Sequence, residues 1–240
     1  MAGTITASGG IIAIVPARYA STRLPGKPLM DIAGIPMIIR VLQGISSSVD
    51  RAVAATDDKR IMDIVNKAGF EAVYTGEAAT GTQRVFHAWK LLGYPGETII
   101  NVQGDEPLVK EHWINSLISV PSEKNRVVTL AREIPAKSAK SPDSVKVVLN
   151  ELHEALYFSR YPIPYGADNV LEHIGIYSFS PESLRNCAAA GNTRLSRNEK
   201  LEQLAWLERG LHIRVVTGKF HGIGVDTKED LERAVEYFST

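Results

Sequence analysis

Four short apolar runs, IIAIV (11–15), RAVAAT (51–56), EAVYT (71–75) and TIINVQ (98–103), alternate with stretches of a different period. Between them, PMIIRVLQGIS, DKRIMDIVNKAG and TQRVFHAWKLLG carry apolar residues three and four apart, the spacing of an amphipathic helix. Pro36 suits a helix start and Gly69 a helix end. Strand–helix alternation of this kind predicts an α/β fold on a mainly parallel, doubly wound sheet. In such sheets ligands sit beyond the carboxyl ends of the strands, so the loops after strands are where chemistry is to be sought.

The rhythm changes after the middle of the chain. RVVTLAREI (126–134), SVKVVLN (144–150), EALYFSR (154–160) and HIGIYSFS (173–180) read as strands with little helix between them. They predict antiparallel additions to the sheet or a small β lobe inserted over about 126–180. Helices return at SPESLRNCAAAG and RNEKLEQLAWLERG, followed by strand HIRVVT and a last helix from about Lys228. One domain over 11–240 is expected, with residues 1–10, MAGTITASGG, as a disordered lead-in.

Composition narrows the partners. Among 240 residues, 27 basic side chains balance 27 acidic ones, so no global field draws the chain to nucleic acid or to an anionic membrane. Any anion must be held locally. The apolar run 11–15 is too short for a membrane span or a signal-peptide core, and the single cysteine, Cys187, suits a reducing compartment. A cytoplasmic, soluble, globular protein without stable membrane anchoring is the expectation.

Three post-strand loops stand out. The first, PARYASTRLPGKP, places Arg18, Arg23 and Lys27 on a segment stiffened by Pro16 and Pro25. Prolines lower the entropy of the unbound loop, so its cations can be held ready for a polyphosphate. The loop carries neither a Walker pattern nor G-x-G-x-x-G. On these residues alone, a phosphate site and a solvated loop are evenly matched. The second loop, NVQGDEPLV, puts Asp105 at a strand end, and the third, GIGVDTKEDLE, does the same with Asp226 after a short apolar run. Either aspartate alone reads equally as a helix cap or turn residue. Together, facing a cationic loop, they suit magnesium, which commonly takes one or two carboxylates and completes its octahedron with phosphate oxygens and water.

These segments resemble the 3-deoxy-manno-octulosonate (Kdo) cytidylyltransferases, the CMP-Kdo synthetases. The resemblance runs from residue 11 through IVPARYASTRLPGKPL, VAATDD, GTQR, NVQGDEPLV, ALYFSRYPIPY, HIGIYSF, KLEQLAWLE and GVDTKEDLE, in family order. It implies a nucleotide-diphospho-sugar-transferase-like fold and a homodimer. It also implies activation of Kdo, an acidic eight-carbon sugar, by CTP for bacterial lipopolysaccharide synthesis, with Mg2+ as cofactor. Carried onto this chain, it implies that Arg18, Ser21 and Lys27 hold the triphosphate, with Arg23 between triphosphate and sugar. Pro16, Ala17, Gly81, Thr82 and Arg84 would receive the nucleoside, and Asp105 and Asp226 the magnesium. Gln103, Arg160, His173, Tyr177, Glu202 and Gln203 would line the sugar pocket. Lys27, Arg18, Asp105 and Asp226 would carry the catalysis.

The chain departs from the family at Ala79 and Gln83, where ATGTQR replaces a loop that usually reads His-Ser-Gly-Thr followed by Asp or Glu and Arg, and in a short connection, YGADNVLE. Spacing alone makes His173 a packed histidine and leaves Glu202 and Gln203 as solvated helix polars; the resemblance promotes them. Rival readings are transfer to another acidic sugar, such as the 8-amino analogue of Kdo or a sialic acid, and a non-catalytic nucleotide-binding regulator. Retention of both Asp105 and Asp226 speaks against the regulator.

Overall fold

The computed structural model describes residues 10–20 and 23–239, so the expected lead-in, apart from Gly10, and Ser21 lie outside the described residues. The four runs of the first half form β1 (Ile11–Ala17), β4 (Arg51–Thr56), β5 (Glu71–Tyr74) and β6 (Thr98–Asn101). A two-residue hairpin, β2 (Asp31–Ile32) and β3 (Ile35–Pro36), follows the first loop. The second half supplies β7 (Arg126–Pro135), β8 (Lys146–Leu149), β9 (Ala155–Ser159), β10 (Asn169–Phe179) and β11 (His212–Thr217).

The main sheet runs β11-β7-β10-β6-β1-β4-β5. Neighbours are parallel except at β10, which is antiparallel to both β6 and β7. The segment expected as an inserted lobe is therefore continuous with the sheet: β7 and β10 belong to its main path, and only β8 and β9 branch off β10.

Both faces are covered. The helices α1 (Met37–Ile45), α2 (Lys59–Lys67) and α4 (Glu111–Ile118) pack against Ala13, Val15, Ile100 and Val102. On the other face α3 (Gly81–Leu91), α5 (Pro181–Ala189), α6 (Arg194–Glu199) and α7 (Glu202–Glu208) meet Ile12, Ile14, Ile99 and Phe179. Burial on both faces explains why β1 and β6 read as unbroken apolar runs rather than alternating ones. Trp206, 1% exposed, packs edge-on against Tyr177 and Phe179, with centroids 5.0 and 5.8 Å away. Cutting such a side chain to alanine costs about 3–5 kcal/mol.

Two helical expectations change. The single helix read over RNEKLEQLAWLERG is two, because Lys200 adopts the left-handed region at φ 54° and ends α6. The helix α4, with Trp113, Ile114 and Leu117 buried, adds to the expected set. A last helix, α8 (Lys228–Ser239), packs Ala234 in a satellite cluster with Leu24, Ile32, Met37, Leu108 and Val225. That cluster ties the first loop to the third, which is what brings their charged residues together.

Candidate active site

Beyond the carboxyl ends of β1 and β6 lies a cavity of about 360 Å³, lined by Pro16, Ala17, Arg18, Arg23, Lys27, Pro28, residues 78–81, Arg84, Gln103, Gly104, Asp105 and Asp226. Two backbone features build it. Gly26 sits at φ 72° and caps the 3-10 turn Lys27–Leu29, which turns Lys27 back toward the sheet. Gly104 passes so close to β1 that a Cβ there would lie 2.8 Å from the Pro16 carbonyl oxygen, a contact no other residue type tolerates.

Lys27 is the centre of the site. Its Nζ donates to Asp105 Oδ2 at 2.7 Å, Val225 O at 3.0 Å and Asp226 Oδ1 at 3.1 Å. Burial works against its charge, but Asp105 and then Asp226 outweigh that and hold its pKa above the ordinary lysine value. The loop cation and both aspartates are thus brought to one point, as the sequence predicts.

The capping alternative for Asp226 also resolves. Thr227 Oγ1 accepts from Asp230 N, and Asp230 Oδ2 accepts from the N–H groups of Asp226 and Thr227. Those two side chains serve the start of α8, which releases the Asp226 carboxylate to the cavity. The apolar run before it, residues 223–225, is not a strand; Val225 N instead donates to Asp105 O at 2.8 Å and fixes the two aspartate loops to each other.

Arg23 reaches two carboxylates, Asp143 at 2.8 Å and Asp226 at 3.1 Å. Arg84, its side chain 5% exposed, is held by Asp57 at 2.6 Å, Thr75 Oγ1 and Gly76 O. Asp57 is a site residue that sequence reasoning missed; its signal was another aspartate at a strand end, directly after β4. Glu106 is a second. Its carboxyl packs against Gly222 and Gly224, and burial, with Asp105 beside it and Arg132 opposing, pushes its pKa up to about 8.

The residues expected around the sugar divide. Gln103 lines the cavity and packs between Gly81 and Gly175. Behind it, His173 stacks edge-on against Phe158 at 4.9 Å, lies 5.5 Å from Tyr177, and its Nε2 pairs with Thr129 Oγ1 at 3.0 Å. Burial pushes the imidazole down to about 3, so it is neutral at physiological pH. Burial raises the Tyr177 hydroxyl well above its usual value, with Glu202 adding to the effect. Glu202 itself titrates high from burial, opposed by the Thr80 hydroxyl and the Thr82 N–H at the start of α3. Gln203 is 4% exposed. Arg160 donates to the carbonyls of Glu199, Pro142 and Lys200 and is not part of the cavity lining. Thr82, at 1% exposure, also lies behind the lining. Gln83 turns from the cavity toward α5: its Oε1 accepts from Ala79 N at 3.3 Å and its Nε2 donates to Ala188 O at 3.4 Å.

The cytidylyltransferase family model matches residues 12–213. A 3-deoxy-manno-octulosonate cytidylyltransferase of Anaeromyxobacter dehalogenans (strain 2CP-C) is 44% identical over 231 residues, covering 93% of this chain and 96% of the relative. One from Porphyromonas gingivalis is 41% identical, covering 95% of this chain and 96% of the relative. Among solved structures, a CMP:2-keto-3-deoxy-manno-octonic acid synthetase complexed with CTP superposes with a TM-score of 0.86 at 34% identity, over 96% of this chain and 98% of that one. The 4-diphosphocytidyl-2C-methyl-D-erythritol synthase of Anaerococcus prevotii, at 20% identity and a TM-score of 0.63, covers 97% of this chain and 99% of its own, and shares the fold. Matched over nearly its whole length, the chain belongs to the cytidylyltransferase family, among the 3-deoxy-manno-octulosonate cytidylyltransferases.

Proposed function

We propose that this chain transfers the cytidylyl group of CTP to the anomeric hydroxyl of Kdo, giving CMP-Kdo and pyrophosphate, with magnesium as cofactor. The observation that carries the reading is the convergence of Lys27, Asp105 and Asp226 at one point in a cavity also lined by Arg18 and Arg23.

The two aspartates fit a magnesium ion. Asp105 Oδ2 and Asp226 Oδ1 already share a single cation, the Lys27 ammonium, and a pair of carboxylates leaves coordination positions for phosphate oxygens and water. When bound, the metal supplies charge that offsets the α-phosphate and lowers the pKa of the attacking hydroxyl. Among the described residues no group of three or more His, Cys, Asp or Glu side chains is arranged to hold a metal, and the reading rests on this carboxylate pair.

The chain's own groups do the rest. Pro16, Ala17, Gly81 and Arg84 receive the nucleoside, with Thr82 behind Gly81 and Arg84 fixed in advance by Asp57. Arg18, Ser21 and Lys27 hold the triphosphate, and Lys27 and Arg18 stabilise charge that accumulates on departing pyrophosphate. Arg23 stands between triphosphate and sugar. Gln103, His173, Tyr177, Glu202 and Gln203 orient the sugar so that its hydroxyl lines up with the α-phosphorus, and Arg160 fixes the rim from behind.

A second copy of the chain suits the branch of the sheet: among the described residues β9 pairs with β8 alone, and Leu156, Tyr161 and Tyr165 are 60%, 80% and 104% exposed. We place the reaction in the cytoplasm, in support of lipopolysaccharide synthesis; among the described residues no helix is long and apolar enough to cross a membrane. Pyrophosphate release should be measured with CTP and UTP against Kdo, its 8-amino analogue and a sialic acid. Release fastest with CTP plus Kdo is the expected result, and no release above background with that pair would overturn the reading.

A further inference from the structure

Lys146 is a fully buried cation whose hydrogen-bond partners are all main-chain carbonyls. It is 0% exposed, and its Nζ donates to Ser141 O, Ser144 O and Arg160 O. Burying an ammonium is costly unless its donors are satisfied, and here three carbonyls satisfy it. Arg160 adds a fourth link by donating to Pro142 O at 2.7 Å. Of the four consecutive residues 141–144, three therefore turn their carbonyls to a cation. The fourth, Asp143, extends its carboxylate to Arg23, 120 positions away, with Oδ1 2.8 Å from Nη1. Its other oxygen, Oδ2, accepts from Ser141 Oγ, and its N–H donates to the same hydroxyl, which limits how the carboxylate can swing.

Arg23 is thereby divided between two carboxylates, with Nη2 on Asp226 at 3.1 Å and Nη1 on Asp143. Asp226 belongs to the catalytic pair and is engaged by other cations during turnover. Asp143 is not: it sits in the loop that leads into β8 and is not among the residues that line the cavity. We infer that Asp143 is a positioning residue for Arg23: it anchors one side of the guanidinium so that the other side is presented to an anionic group of the incoming substrate. The inference rests on the proposed reaction for the identity of that substrate, the acidic sugar. A long side chain half exposed to solvent samples many rotamers, and a fixed anchor at one nitrogen removes most of them before the sugar arrives.

A double-mutant cycle tests this. Asp143→Ala should lower kcat/KM for Kdo by about fivefold, the upper end for an exposed ion pair, while the KM for CTP stays within about twofold. In an Arg23→Ala background the same substitution should have no further effect, and Asp143→Glu should restore part of the loss. An equal loss in both backgrounds, or none in either, overturns the inference. A readout free of turnover separates it from the reaction itself. The Arg23 side-chain Nε–H signal in ¹H–¹⁵N spectra, assigned with Arg23→Lys, should show faster motion in Asp143→Ala than in wild type. An unchanged signal overturns the anchor even if Kdo is a substrate. A wild-type protein that releases no pyrophosphate, with an Arg23 signal that does respond, overturns the proposed reaction and leaves the anchor standing.

Discussion

Replacing Asp226 by asparagine isolates the charge at the centre of the site. The amide keeps the shape and one acceptor oxygen, so Lys27 and Arg23, both 3.1 Å from Asp226 Oδ1, keep a hydrogen-bond partner but lose an ion pair. A metal bound to the pair loses one carboxylate and gains the uncompensated charge of a neighbouring cation. One unit charge at about 4 Å in a partly solvated site is worth about 4 kcal/mol. Spent on the barrier, that is roughly a thousandfold in turnover. Folding should suffer far less: the Asp226 side chain is 36% exposed, and ion pairs of that kind contribute about 1 kcal/mol or less. The assay is pyrophosphate release at saturating CTP, Kdo and magnesium, beside a thermal melt of the same preparation. A folded Asp226→Asn protein within tenfold of wild-type turnover would refute the assignment of the carboxylate pair. Asp105→Asn should behave alike, since Asp105 holds the same ammonium at 2.7 Å.

Two further outcomes follow from the geometry. Lys27→Ala should weaken CTP binding and slow transfer, and Lys27→Arg should not restore full activity, because a planar fork does not fit a point where Asp105, Asp226 and Val225 O converge on one nitrogen; unchanged CTP affinity and turnover in Lys27→Ala would return the loop to a solvated role. His173 carries a pH signature: its folded pKa, about 3, lies below the unfolded value near 6.5, so the unfolded chain binds the extra proton between those limits and the native state loses stability as pH falls through that window. Denaturant titrations should show the stability advantage of wild type over His173→Gln shrinking between pH 6.5 and 5 by up to about 2 kcal/mol, and a constant difference would contradict a buried neutral imidazole.

The parts legible in the sequence were those written in local pattern. Periods of two different kinds gave the parallel core, and Asp105 follows from the rule that parallel strands deliver their following loops to one edge. Asp226 reaches the same point by another route, because residues 223–225 are not a strand and Val225 N bonds to Asp105 O instead. What local pattern could not carry was contact between distant segments. Nothing near Asp143 signals Arg23, 120 residues earlier, and nothing in SVKVV marks Lys146 as a buried ammonium rather than a surface charge. The break between α6 and α7 was hidden for a related reason: the residues around Lys200 are good helix formers, and the left-handed turn there is set by Arg160, which binds the Glu199 and Lys200 carbonyls. Asp226 shows the converse case, where two readings of one residue were separated only by finding that Thr227 and Asp230 perform the capping.

The sharing of Lys27 and Arg23 among aspartates has a kinetic consequence. The charges of Arg18, Arg23 and Lys27 in the cavity lining are matched by those of Asp105 and Asp226 beside them and of Asp143 on Arg23, so the protein's own groups project little net field into solution. A highly anionic nucleotide is then not drawn in from a distance, and its encounter rate should vary only weakly with ionic strength. Discrimination between nucleotides falls to the stage after encounter, when the carboxylates release their cations, and so resides in how long a ligand stays rather than how fast it arrives.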